Sequence, residues 1–212
     1  MMKKKSIKII IAIAGCYLLF TSPAALSQVK LPQLVRDSMI LQRDVNIKIW
    51  GWAAKDEKVN VKFNNKNYKT KTGTDSKWSL SLLPMKAGGP YTMEITASNK
   101  ILLKEILIGD VWFCSGQSNM VHQMNIHDVT YETDIAEANY PEIRQFLIPT
   151  LTSLQGPEDN LPNGFWKSAI LEDVRPFSAV AYFFARKIYE KDRKSTRLNS
   201  SHSDLSRMPS SA

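Results

Sequence analysis

Thiols, histidines and long apolar runs are scarce in this chain, and each shortage excludes something. Cys16 and Cys114 are the only cysteines among 212 residues, and Cys16 lies in a stretch that reads as a removable leader. A mature chain with one thiol forms no intramolecular disulfide. A lone cysteine beside an apolar strand is a small buried hydrophobe before it is a reactive group. The three histidines, His122, His127 and His202, leave few side chains able to take up a proton near neutral pH. The apolar run from Ile9 to Phe20 is too short to cross a bilayer comfortably, so no transmembrane span is expected. Acidic side chains are missing where the basic ones gather. Four lysines and no acid fall in residues 1–28, and four basic residues against one Asp fall in 193–212, so the part between holds 20 basic and 19 acidic side chains and the +8 of the whole chain shrinks to about +1. Such a balance offers no electrostatic footprint for nucleic acid.

What is present begins with the ends. Lys3, Lys4, Lys5 and Lys8 precede the apolar run, and Ala25-Leu26-Ser27 places small residues three and one before a cut. Residues 1–27 therefore read as a secretory signal peptide, with a mature start near Gln28 and a periplasmic or secreted destination. A competing reading takes Ile13-Ala14-Gly15-Cys16 as a lipoprotein box, with a lipid anchor on Cys16 and an outer-membrane location. Tyr17, Leu18, Leu19 and Phe20 continue the apolar core past Cys16, which favours the ordinary signal. At the other end, residues 193–212 are crowded with serine and show no helical or strand period, the composition of a disordered tail. This segment also resembles a translated sequencing adapter and reads as a foreign scar.

Between the ends, residues 28–105 read as short strands. Val59, Val61 and Phe63, then Trp78, Leu80 and Leu82, then Met93 and Ile95 alternate with polar residues, separated by turn material such as Asn64-Asn65 and Gly88-Gly89-Pro90. The expected form is an antiparallel β-sandwich of about seven strands. From Ile106 to 192 the pattern turns to α/β: a helix over Val129 to Ala138, a strand over Ile143 to Ile148, and a helix over Ser178 to Lys191 capped by Ser178. In that helix Val180, Phe183, Phe184, Lys187 and Ile188 form the stripe expected to face a sheet. Pro149 to Lys167 is long, polar and without periodicity.

The chemistry concentrates after Ile106 to Phe113, an apolar stretch expected of a strand buried on both faces. Cys114-Ser115-Gly116-Gln117-Ser118-Asn119-Met120 follows it. A serine just past such a strand stands at the carboxyl edge of the sheet, where α/β folds place reactive groups, so Ser118 is the nucleophile candidate. Serine and asparagine near glycine also serve as turn formers and helix caps, and Met120 replaces the second glycine of a Gly-x-Ser-x-Gly elbow. A serine nucleophile needs a base. His122, four residues on, lies along the same helical face as Ser118, and both His122 and His127 read as solvated groups. Gln117 and Asn119 suit local hydrogen bonds better than substrate contacts. Trp50, Trp52 and Trp78 suit a β core better than a sugar-stacking platform.

The serine block resembles that of the sialate O-acetylesterases, a branch of the SGNH-type carbohydrate esterases. Further matches are Asp37-Ser38-Met39-Ile40-Leu41-Gln42-Arg43, Ile49-Trp50-Gly51-Trp52-Ala53, Lys86-Ala87-Gly88-Gly89-Pro90-Tyr91, Asn139-Tyr140-Pro141 and Phe177-Ser178-Ala179-Val180-Ala181-Tyr182-Phe183. The resemblance implies serine acyl transfer that removes O-acetyl groups from sialic acid or a related sugar, with no metal and no cofactor. Ser118 would attack the acetyl carbonyl and its backbone N–H would be one oxyanion donor. The family's base lies in an Asp-x-x-His-like block far toward the C-terminus, and neither that block nor the remaining oxyanion donors is found here. The expectation is a truncated esterase, inactive alone, with the first part of the SGNH-type domain over 106–192. A non-catalytic carbohydrate-binding β-sandwich with a vestigial appendage is the alternative. Neither the acylated sugar nor an oligomeric state is legible.

Overall fold

The computed structural model describes residues 28–149, 152–154, 156–192 and 196–202. The leader, its cleavage point and Cys16 lie outside the described residues. The fold is sheet-dominated, with few helices. Ten strands run in chain order as β1 (Ile40–Gln42), β2 (Ile47–Trp52), β3 (Lys58–Phe63), β4 (Lys66–Lys71), β5 (Lys77–Leu82), β6 (Gly88–Thr96), β7 (Lys100–Gly116), β8 (Asn139–Ile148), β9 (Trp166–Ile170) and β10 (Thr196–His202). Among the described residues three α-helices, α1 (Ser118–Val121), α2 (Asp128–Ala136) and α3 (Ala179–Asp192), lie between the strands, with 3-10 turns at Met124–His127 and Leu171–Val174.

The alternation read from the sequence produces the first core. Val59, Val61 and Phe63 on β3 and Met93 and Ile95 on β6 meet Ile47, Ile49, Trp78 and Leu82 from the β2–β5 ribbon. In the ribbon Gly51 is required: a Cβ there would lie 2.3 Å from the Lys30 carbonyl oxygen, and Trp52 exchanges backbone hydrogen bonds with Lys30 at 2.8 and 2.9 Å. The second core gathers Ile135, Ile143, Ala169, Phe177 and the α3 residues Ala181, Tyr182 and Ala185.

One strand serves both parts. β7 pairs antiparallel with β6 and parallel with β1 over its first half, then parallel with β10 from Asp110 to Gly116. The expected boundary at 105/106 thus falls inside a continuous strand. It is marked by a bulge: Glu105 has φ 56°, and the register with β6 slips by one residue between the Met93–Leu103 and Tyr91–Ile106 pairs. Bulges bend and re-aim strands without ending them. Residues 37–43 clasp this bend. Asp37 Oδ1 accepts the Lys104 N–H at 2.7 Å, Gln42 Oε1 accepts the Val111 N–H at 2.9 Å, and Arg43 Nε donates to Asp110 at 2.7 Å.

Four expectations need correction. Ile106, Leu107 and Ile108 are buried, but Trp112 is 43% exposed and Phe113 66% exposed. Burial on both faces fails beyond the clasp, where cover is partial: Phe184 of α3, itself exposed, meets Trp112 edge-on at 5.2 Å. The stripe on α3 is displaced, with Val180 and Phe184 outward and Ala181, Tyr182 and Ala185 buried, since small alanines allow the helix to approach the sheet closely. The long loop ends at Trp166, where β9 begins. Finally, the segment expected to be a disordered tail contains β10, paired parallel with both β7 and β8. Those two strands each present a row of backbone N–H and C=O groups across one strand's width, and a strand between them satisfies both rows.

Candidate functional site

β7 ends at Gly116, Gln117 occupies the cap position and α1 starts at Ser118. The turn is tight: a Cβ on Gly116 would stand 3.2 Å from Met120 Cβ. Backbone groups hold it, the Gln117 carbonyl accepting from the Met120 and Val121 N–H groups at 2.9 and 3.3 Å and the Ser118 carbonyl accepting from His122 at 3.1 Å. Gln117 supplies no side-chain cap, and the side chains of Gln117 and Asn119 are exposed. Ser118 is exposed at the carboxyl edge of a parallel strand pair, and among the described residues its hydroxyl has no hydrogen-bond partner.

The serine segment is bolted down from behind. The buried Ser178 hydroxyl donates to Met120 Sδ at 3.5 Å and accepts the Ala181 N–H at 3.4 Å as the cap of α3, while the Ser178 N–H donates to Gln145 Oε1 at 3.2 Å. Ala179 N–H donates to the His122 carbonyl at 2.8 Å, and Met124 N–H to that of Phe177 at 2.9 Å. Sequence reasoning found Ser178 as a helix cap but missed that it also anchors α1. Gln145 carried no signal, because its partner lies 33 residues away.

Neither His122 nor His127 is hydrogen-bonded to Ser118 among the described residues. The rings of His122 and His127 stack on each other, centroids 4.5 Å apart, and His127 also meets Tyr131 at 6.4 Å. The carboxylate next to this pair, Asp128, is engaged by Arg175 at 2.6 Å. Cys114 is half-buried, and burial pushes its thiol above the ordinary range, away from the reactive thiolate. Among the described residues no three His, Cys, Asp or Glu side chains converge as a metal site, and no helix is long and apolar enough to cross a membrane. Trp78 lies in the core, whereas Trp50 and Trp52 are half-buried.

The same fold occurs in a solved structure described as a novel carbohydrate acetylesterase from Xanthomonas citri, with a TM-score of 0.79 and 30% identity over 82% of this chain and 40% of that one. Sialate O-acetylesterase from Homo sapiens is 28% identical over 178 residues, 74% of this chain and 33% of the human protein. The enzyme of the same name from Rattus norvegicus is 28% identical over 180 residues, 72% of this chain and 31% of the rat protein. No family model matches the chain. The fold and these relatives place the chain in the class of carbohydrate acetylesterases. Within that class the curated proteins to which it is similar are sialate O-acetylesterases, and the chain spans about a third of their length.

Proposed function

We propose that this chain carries the nucleophile segment of an exported serine esterase that removes O-acetyl groups from sialic acid or a related sugar. In this reading residues 28–105 form a β-sandwich and 106–192 the first part of an SGNH-type domain. Ser118 Oγ attacks the acetyl carbonyl carbon, the carbonyl electrons move onto oxygen, and the Ser118 N–H donates to the resulting oxyanion. Collapse breaks the ester C–O bond, the sugar oxygen leaves as its hydroxyl with the proton given up by Ser118, and the acetyl-serine remains for water to hydrolyse. The observation that carries the proposal is the placement of Ser118: exposed, on the first turn after a parallel strand, and braced through Met120 and Ser178.

The chain alone is expected to turn over slowly, because neither His122 nor His127 is hydrogen-bonded to Ser118 among the described residues and loss of a triad member costs several orders of magnitude in rate. An external base supplies the test. With p-nitrophenyl acetate and added imidazole, mass spectrometry should find an acetyl group on the peptide bearing Ser118, absent in Ser118→Ala. Acetylation scattered over lysines with none on Ser118 would refute the nucleophile assignment. Ser118-dependent turnover without imidazole would show that His122 or His127 serves as base.

A further inference from the structure

The carboxyl end of β8 carries a recess that the serine chemistry leaves unused. Gln145 and Leu147, alternate residues of β8, line it from the sheet, Phe165 and Lys167 from the start of β9, and Pro176 and Phe177 from the turn before α3. It encloses about 150 Å³, the size of cavity that takes one benzene-sized ring. The segment carrying Phe165 is fixed at both ends. Before it, Gly164 packs so closely that a Cβ there would stand 2.1 Å from Phe146 Cζ, and its carbonyl accepts from Arg36 Nη1. After it, the Trp166 indole N–H donates to the Leu34 carbonyl at 3.1 Å.

We infer that this pocket binds a single neutral aromatic ring bearing a carbonyl or ether oxygen, with the ring packed on Phe165 and Leu147 and the oxygen accepting from the Gln145 amide. The ring follows from the lining: Phe165 is 58% exposed and Leu147 41% exposed, and an aromatic surface gains most from a second ring. Neutrality follows from Lys167, the one charged group of the lining. Its ammonium already pairs with Asp173 at 2.9 Å and lies 5.6 Å over the Phe165 ring. The oxygen follows from Gln145, which is 3% exposed. Its Oε1 accepts the Ser178 N–H at 3.2 Å, which leaves the Nε2 donors without an acceptor among the described residues. Buried amide donors ordinarily find one, and a ligand oxygen would supply it. Ser118 follows β7 and Leu147 lies near the end of β8, with β10 between them, so pocket and serine share one edge of the sheet about 10 Å apart. Service as a subsite for an aryl substituent of the substrate rests on the nucleophile reading; binding itself does not.

The whole chain carrying Ser118→Ala is therefore the protein to titrate, followed by fluorine NMR, so that the outcome is independent of the acetylation test. Para-fluoroacetophenone should bind saturably and about five-fold more tightly than para-fluorotoluene, which has the ring without an oxygen acceptor. Phe165→Ala, at an exposed position, should weaken both probes about five-fold. Gln145→Met keeps the length of the side chain and removes the donors, so it should bring the ketone down to the affinity of the hydrocarbon, with folding checked by circular dichroism. Equal affinities for the two probes in the Ser118→Ala chain, binding untouched by Phe165→Ala, or a ketone preference retained in folded Gln145→Met would each overturn the inference. Should Gln145→Met fail to fold, the first two comparisons decide.

Discussion

Arg144 is a buried cation answered by backbone. Its Nη1 donates to the Ser38 carbonyl at 2.9 Å and to that of Glu105, and its Nε donates to Pro141 at 3.2 Å. Burial lowers its pKa, while the charges of Glu105 and Glu142 pull the other way. One guanidinium thus ties β8 to the segment before β1 and to the bulge of β7. Arg144→Ala would strip three carbonyls of their donor and should cost about 3 kcal/mol, read as a lower urea midpoint. Arg144→Lys should recover only part of this, since an ammonium lacks the planar fork; full recovery would show that charge alone suffices. Arg144 was illegible in the sequence because its carbonyl partners at Ser38 and Glu105 lie 106 and 39 residues away. Ser118 was legible as a candidate because its setting is local, an apolar run followed by glycine.

At the scale of elements, periodicity was read correctly wherever neighbours in the same strand decide burial. β3 buries the residues that its alternation nominates, and β5 buries Trp78 and Leu82 while Leu80 is half-buried. Reading failed where a distant layer decides. Nothing in Val111-Trp112-Phe113 says that this end of β7 stays exposed, and alanines at 181 and 185 hide the buried face of α3 from any count of large apolar residues. Turns are joined by means equally invisible. The Glu57 carboxylate accepts the Ala54 N–H at 3.0 Å and the Ser98 N–H at 2.6 Å, linking the turn before β3 to the turn between β6 and β7. Desolvation would raise its pKa, but the hydrogen bonds from Ser98 and Ala54 outweigh it and hold the group below the ordinary glutamate value. A depressed folded pKa means stability that is present above the unfolded value of about 4.3 and is lost as pH falls through the folded one. Glu57→Gln should therefore melt lower at neutral pH and lose less melting temperature than the parent between about pH 5 and about pH 3. Parallel melting curves across that window would remove Glu57 from the acid sensitivity.

For the molecule as a whole, the central question is what occupies the slot between β7 and β8. β10 fills it with Thr-Arg-Leu-Asn-Ser-Ser-His, a sequence holding one aliphatic residue where parallel strands buried on both faces are usually apolar throughout. Its contribution is thus read as backbone pairing. Hydrogen exchange should find the amides of 196–202 slowed together with those of 110–116, since each row bonds the other. Exchange at loop rates in 196–202, with 110–116 still protected, would leave β10 without a structural role.

The continuity of β7 has a further consequence, for modularity. Accessory domains are commonly shuffled between enzymes as units joined by linkers, but here no linker exists to recombine. The strand that ends beneath Ser118 begins as the partner of β6, and a crossover at Glu105 would leave one gene product with half a strand and the other with a sheet lacking its neighbour. The N-terminal sheet and the serine block thus share one strand, and neither can be excised without cutting it.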